Sequence, residues 1–273
     1  MTRRGLARVA FLAVMGYVGV CVSLAALQDH LIFHPKRDLT RTPAQLGLAF
    51  EDVWLESADG TLVHGWYVPA VAGGRRHVLF LHGNAGNLSH RLYTVDVLHA
   101  LGHPVLLIDY RGYGASDGRP SEPGLALDAR AAWDHLVNVR GIPPAGIAIY
   151  GRSLGGAVGA RLAAEVGPGA LVLESTFTRL RDIAAERYPY VPVDALLRSD
   201  FDTLAALMQT ACPVLIAHSP DDDVVPIALG RALATAVDGR GRFVALRGDH
   251  NRAFRVSREA YHPLLREFLG PSD

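Results

Sequence analysis

The 273-residue sequence predicts an α/β domain built on a doubly wound, mostly parallel sheet of eight strands, behind an apolar N-terminal segment. Three observations carry that expectation. Short continuous apolar runs recur at 77–81, 104–109, 146–150, 170–174, 213–218 and 243–246, as expected of strands buried on both faces of a parallel sheet. Helix-like segments lie between and after them, near 88–101, 123–139, 154–166, 226–237 and 253–269, which is the alternation of right-handed β-α-β crossovers with helices on both faces. Ahead of these, 50–57 and 61–68 are rich in Val, Trp, Leu and Tyr and are joined through Ala58-Asp59-Gly60, a hairpin signal that sets an antiparallel pair at the N-terminal edge.

Taken in order, the chain opens with Arg3, Arg4 and Arg8, then runs from Val9 to Gln28 without a charged residue, about the length a helix needs to cross a bilayer. The positive flank predicts a cytoplasmic segment at 1–8 and a transmembrane signal anchor at 9–28. The remainder then lies on the non-cytoplasmic side, the periplasm if the source is bacterial. Ser23-Leu24-Ala25 resembles a small-x-small cleavage site, so a cleaved secretory signal is the competing reading; the length of the apolar run favours the anchor. Val20 precedes Cys21 where a lipid-modified cysteine needs a small residue. Residues 29–49 are expected to connect the anchor to one domain at 50–273, because no Ser/Gly/Pro-rich linker divides the rest. The interval 177–203 breaks the strand–helix rhythm with Pro189, Pro192, Tyr188, Tyr190 and Phe201, and is expected to form a short cap over the strand ends.

Composition excludes several functions. Lys plus Arg and Asp plus Glu number 27 each and no basic stripe stands out, so nucleic acid is not expected as a partner. Cys21 lies in the apolar run and Cys212 at the start of a strand, a poor pairing for a disulfide. There is no C-x-x-C, no H-E-x-x-H and no dinucleotide motif, so neither a metal nor a cofactor is expected.

In a doubly wound sheet, ligands bind beyond the carboxyl ends of the strands, and those positions are where the chemistry-bearing residues fall. After 146–150 comes Gly151-Arg152-Ser153-Leu154-Gly155, a G-x-S-x-G between strand and helix that displays a serine nucleophile on a sharp turn. A serine hydroxyl needs a base, and His250, after the last strand, completes the order serine, carboxylate, histidine. His82 precedes the serine and adjoins Gly83, so it is expected to shape its loop through a backbone hydrogen bond; His218 ends a strand and reads as a core histidine. Asp222, four residues before Pro226, is the expected orienting carboxylate, with Glu174 as a genuine alternative. Asp221 and Asp223 read as solvated turn residues, and Asp109 as an acceptor of backbone hydrogen bonds within Asp109–Gly114. The backbone amides of Leu154, at a helix start, and of Asn84, between Gly83 and Gly86, are the expected oxyanion donors. No substrate-binding residue can be named from this pattern.

Taken together, these residues resemble the α/β-hydrolase superfamily. More narrowly, the chain is similar to the membrane-anchored serine hydrolases of the alpha/beta-hydrolase-domain group, which includes eukaryotic depalmitoylating thioesterases and their bacterial relatives. The resemblance runs from about Leu31 to Leu269. It rests on Phe33-His34-Pro35, Asp59-Gly60 through Gly65–Pro69, His82–Asn87, Asp109–Gly114, Gly151–Gly156, Glu174–Phe177, Asp222–Pro226 and His250. It implies a triad of Ser153, Asp222 and His250 with oxyanion donors at Asn84 and Leu154. Arg152 before the serine is a departure that could suit an anionic substrate. No N-terminal cysteine cluster is present, so depalmitoylation does not carry over. The expectation is a membrane-tethered hydrolase of small-molecule esters or thioesters acting through an acyl-serine. A serine peptidase and a non-catalytic, membrane-anchored binding protein are the alternatives.

Overall fold

A computed structural model describes residues 2–70, 76–237 and 239–270; the ends of the expected 1–8 and 50–273 segments, residues 1 and 271–273, lie outside the described residues, as do 71–75 and 238. Eight strands form one sheet: β1 (Glu51–Glu56), β2 (Leu62–Val68), β3 (His77–Leu81), β4 (Val105–Ile108), β5 (Ile147–Arg152), β6 (Ala170–Glu174), β7 (Val214–His218) and β8 (Gly241–Ala245). Their order is β1-β2-β4-β3-β5-β6-β7-β8. β2 runs antiparallel to both β1 and β4, and every pairing from β4 to β8 is parallel. This is the α/β-hydrolase fold, with the antiparallel edge where the hairpin signal set it.

The central strands are apolar throughout because alternate residues feed two cores. From β3 and β5, Leu79, Leu81, Ile147 and Ile149 face one side, where helices α3 (Glu122–Asp134) and α4 (Leu154–Val166) pack. Val78, Phe80, Ala148 and Tyr150 face the other, against α2 (Leu92–Ala100) and the C-terminal helices. Each fully buried Leu or Phe contributes about 1.5–3 kcal/mol, so the sheet centre is the most strongly held part of the molecule. α3 starts where Ser121 caps it, its hydroxyl accepting from the Gly124 amide at 3.2 Å.

Several boundaries differ from those the sequence suggests. The segment expected at 123–139 leaves α-helical geometry after Asp134: a wider turn follows, in which the Arg140 amide reaches the His135 carbonyl five residues back, at 3.0 Å. The segment expected at 88–101 begins as a short 3-10 turn at Leu88–His90, with Asn87 accepting from the Ser89 amide at 3.0 Å. The C-terminal stretch is two helices, α9 (Ala253–Val256) and α10 (Arg258–Leu269), separated at Ser257, whose hydroxyl accepts from the Arg247 amide at 2.8 Å. Between β6 and α7 (Thr203–Gln209) lie the short helices α5 (Leu180–Arg187) and α6 (Val193–Leu196), in the interval read as a cap; α8 (Ile227–Ala236) follows β7.

The N-terminal helix α1 spans Arg3–Ile32, well beyond the apolar run, because Thr2 caps its start and the chain turns extended only at Phe33, two residues before Pro35. It is long and apolar enough to cross a membrane, and Leu6, Val9, Phe11, Leu12, Val14 and Met15 are all exposed on it. The following segment is more than a connector. Phe33 is buried, Pro35 bridges Gly86 in parallel fashion, and the Lys36 amide donates to the Gly86 carbonyl at 2.9 Å. The exit from α1 is thus stitched to the loop after β3.

Candidate active site

Ser153 sits between β5 and α4 with φ +52° and ψ −120°, a backbone conformation that costs a non-glycine residue of order 1–3 kcal/mol. The surroundings enforce it. The Ser153 amide donates to the Glu174 carbonyl at 2.8 Å, and the Thr176 hydroxyl donates to the Ser153 carbonyl at 2.7 Å. A Cβ at Gly155 would lie 2.0 Å from the Leu81 carbonyl oxygen, and one at Gly151 2.3 Å from the Gly155 carbonyl oxygen. The two glycines of the motif are therefore required by the contact of β5, α4 and the end of β3.

His250 lies in the loop after β8, and its Nε2 stands 3.1 Å from Ser153 Oγ. Its Nδ1 stands 2.8 Å from Asp222 Oδ2 and 3.0 Å from Oδ1. An ionised carboxylate only accepts, so Nδ1 carries the proton and Nε2 is left to accept from the serine hydroxyl. Burial opposes ionisation of Asp222, but hydrogen bonds from His250 and from the amides of Val225 and Val224 outweigh it and hold the carboxyl below its ordinary range. Neighbouring aspartates position the histidine loop: Asp223 Oδ1 accepts from the His250 amide at 3.1 Å and Asp221 Oδ2 from the Gly248 amide at 3.4 Å. Both are exposed, yet neither is only a solvated turn residue. Spacing offered no signal for this, since the loop they hold begins more than twenty residues later.

The other candidates fall elsewhere. His82 Nδ1 donates to the Gly83 carbonyl at 2.7 Å and its Nε2 lies 3.2 Å from Asp109 Oδ1, so it braces the loop after β3. Asp109 also accepts from the Leu88 amide at 2.8 Å. His218 Nε2 donates to the Val225 carbonyl at 2.9 Å and lies 3.5 Å from Asp222 Oδ2; burial lowers its pKa, which keeps it neutral beside the acid. Glu174 makes no hydrogen bond to the His250 ring. It lies 3.2 Å from Arg152 Nε and accepts from the Tyr150 hydroxyl, while Arg152 Nη2 donates to the His250 carbonyl. Arg152 is thus already neutralised by a buried carboxylate, a partnership the sequence pattern did not reveal.

Leu154 is the first residue of α4, so its amide has no carbonyl a turn earlier to bond. Gly83 passes directly against Ser153, a Cβ there lying 3.3 Å from the Ser153 Cβ, which brings the loop carrying Asn84 to the serine. The Asn84 side chain is engaged away from the serine: Oδ1 accepts from the Tyr113 hydroxyl at 2.8 Å and Nδ2 donates to the Ile32 carbonyl. Ser153, His250, Leu154 and Asn84 all line one cavity of about 520 Å³. Arg91 lines it too. Burial first, and then Arg152, lower the Arg91 pKa to about 10, so it is a cation at neutral pH, and among the described residues no carboxylate pairs with it. No cluster of metal-ligating side chains occurs among the described residues.

Comparison with known proteins places these features in a wider set. A family model described as the alpha/beta hydrolase fold matches residues 76–210. The uncharacterized protein Rv2307c of Mycobacterium tuberculosis is 38% identical over 97% of this chain and 95% of its own length. The alpha/beta hydrolase domain-containing protein WAV2 of Arabidopsis thaliana is 36% identical over 77% of each chain. The lysophosphatidylserine lipase ABHD12 of Macaca fascicularis is 35% identical over 81% of this chain, which spans 62% of that relative. Among solved structures, the Pyrococcus furiosus esterase Pf2001 superposes with a TM-score of 0.72 over 87% of this chain and 96% of its own, at 20% identity, a likeness of fold.

Proposed function

The chain belongs to the alpha/beta-hydrolase-domain family, and from that premise we propose that it is a serine hydrolase of carboxylic esters or thioesters, tethered to a membrane by α1. The observation that carries this reading is the continuous contact from Asp222 through His250 to Ser153, at 2.8 and 3.1 Å, opening into the cavity.

In this reading Ser153 Oγ attacks the substrate carbonyl carbon as His250 Nε2 takes its proton. Asp222 holds the ring in the required tautomer and stabilises the imidazolium. The negative charge that develops on the carbonyl oxygen is met by the amides of Leu154 and Asn84, a contribution of about 2.7–4 kcal/mol per donor in comparable sites. The intermediate collapses as the carbon–oxygen or carbon–sulfur bond of the leaving group breaks, and the histidine proton goes to that group. Water, deprotonated by the same histidine, then releases the acid from Ser153. No step calls on a metal or cofactor.

Arg91 supports an anionic group on the substrate. Arg91 is half-buried, and its Nη2 donates to the Ala85 carbonyl; with no carboxylate beside it, the rest of its desolvation cost is one that a bound anion offsets. The lipase among the relatives acts, by its name, on an anionic lipid ester, which fits the same expectation. The arginines before Val9 support a cytoplasmic N-terminus and a catalytic domain on the far side of the membrane.

Hydrolysis of p-nitrophenyl butyrate by the full-length protein in detergent tests the assignment. The expected outcome is turnover that falls by about four orders of magnitude in Asp222→Asn and to background in Ser153→Ala. Equal turnover by Ser153→Ala and wild type would remove the proposal.

A further inference from the structure

The cavity at Ser153 has an unexpected wall. Leu24, Ala25, Gln28, Leu31 and Ile32 line it, positions spaced so that they share one face of α1. Residues of the cap line the cavity as well, among them Leu180, Ile183, Val193 and Leu196. Along the helix axis, Leu24 and Ile32 are about 12 Å apart, so the helix borders the cavity for two turns.

The contact between helix and cap is specific. Gln28 is 5% exposed, with its whole amide group used: Nε2 donates to the Ala25 carbonyl at 2.8 Å and the Leu196 carbonyl at 3.2 Å, and Oε1 accepts from the Arg198 amide at 2.8 Å. A turn or more on either side, the Tyr17 hydroxyl donates to the Tyr190 carbonyl at 2.8 Å and the Ile32 carbonyl accepts from Asn84, the residue beside Ser153. A tether that only held the domain to a bilayer would need none of these bonds, and a buried glutamine costs stability unless it is so satisfied.

We propose that the last third of α1 is one wall of the acyl-chain site, so that the segment read as a membrane anchor also selects long-chain acyl substrates. The proposal rests on the serine-hydrolase reading and names its substrate class: esters or thioesters of long aliphatic acids, the acyl chain lying between α1 and the cap with its carbonyl at Ser153. A cavity of about 520 Å³ with leucine and isoleucine on both walls suits such a chain. Each methylene buried there favours the substrate by roughly fourfold in kcat/KM.

The test uses the full-length protein in detergent micelles, with p-nitrophenyl palmitate and p-nitrophenyl butyrate as paired substrates. Ala25→Trp fills the groove from the helix side, and Leu27→Trp places the same bulk on the exposed face, away from the cavity. The expected result is a palmitate-to-butyrate ratio of kcat/KM that falls at least tenfold in Ala25→Trp and stays at the wild-type value in Leu27→Trp. A ratio unmoved by Ala25→Trp, or moved equally by both, overturns the role of the helix while leaving the hydrolase intact. A wild type that cleaves neither ester overturns the hydrolase reading itself. Should Ala25→Trp not fold, Ser153→Ala is photolabelled with a diazirine-bearing palmitoyl ester. Adducts at Leu24, Ala25 or Leu31 that unlabelled p-nitrophenyl palmitate competes away uphold the proposal, and their absence overturns it.

Discussion

Arg152 and Glu174 show at the scale of single residues how much of the site lay outside the reach of spacing. They are direct cross-strand partners in the register of β5 and β6, and register is not written in either strand alone. From sequence, Arg152 suggested an anionic substrate and Glu174 a rival acid. In the structure they form an ion pair at 3.2 Å, and the arginine also holds the His250 carbonyl. Arg152→Met should therefore act through Glu174, leaving a fully buried carboxylate without its cation, at a cost of about 3 kcal/mol in urea-induced unfolding. Adding Glu174→Gln should restore most of that loss. If the single variant unfolds like wild type, the pair is not structural and an anion-binding role for Arg152 returns. The approach of Asp222, His250 and Ser153 to one another, by contrast, was expected from the sequence, because each follows a strand in the order a strand-to-helix serine requires.

At the scale of elements, the parallel strands were the most legible part, since burial on both faces leaves continuous apolar runs. β8 was less so: it is an edge strand that begins with Gly241 and Arg242, and its register with β7 extends it beyond its apolar residues. The joins between elements were least legible. Nothing in the local pattern of Phe33-His34-Pro35 says that this stretch bridges Gly86, although the pairing decides how the helix exit meets the loop carrying Asn84. The packing of α4 on the end of β3 gives a sharp expectation. Gly155→Ala brings a methyl group within 2.0 Å of the Leu81 carbonyl oxygen, a backbone atom that cannot move without displacing the loop after it. Overpacking of this kind costs about 1–3 kcal/mol, read as a lowered urea midpoint, and ester hydrolysis should fall with it. An unchanged midpoint would mean that this contact is looser than described.

The whole molecule carries an acid sensitivity set by its histidines. Burial lowers the pKa of His77, His90, His135, His218 and His262 in the folded state. Below the ordinary histidine range of about 6.5 the unfolded chain binds protons that the folded chain refuses, so unfolding is favoured as pH falls. The thermal midpoint in detergent should accordingly drop by several degrees between neutral pH and about pH 5; a midpoint that rose over that interval would contradict the burial of these rings. The same chain brings an apolar helix, the segment 177–203 and a sheet around one cavity, at which Ser153 is the proposed nucleophile. The most direct test is to treat the full-length protein with a fluorophosphonate, digest it with trypsin and weigh the peptide Ser153–Arg161. One phosphonyl adduct on Ser153 is expected, absent from Ser153→Ala and strongly slowed in His250→Ala. An unmodified Ser153–Arg161 peptide, or an adduct at another serine that survives Ser153→Ala, would contradict it.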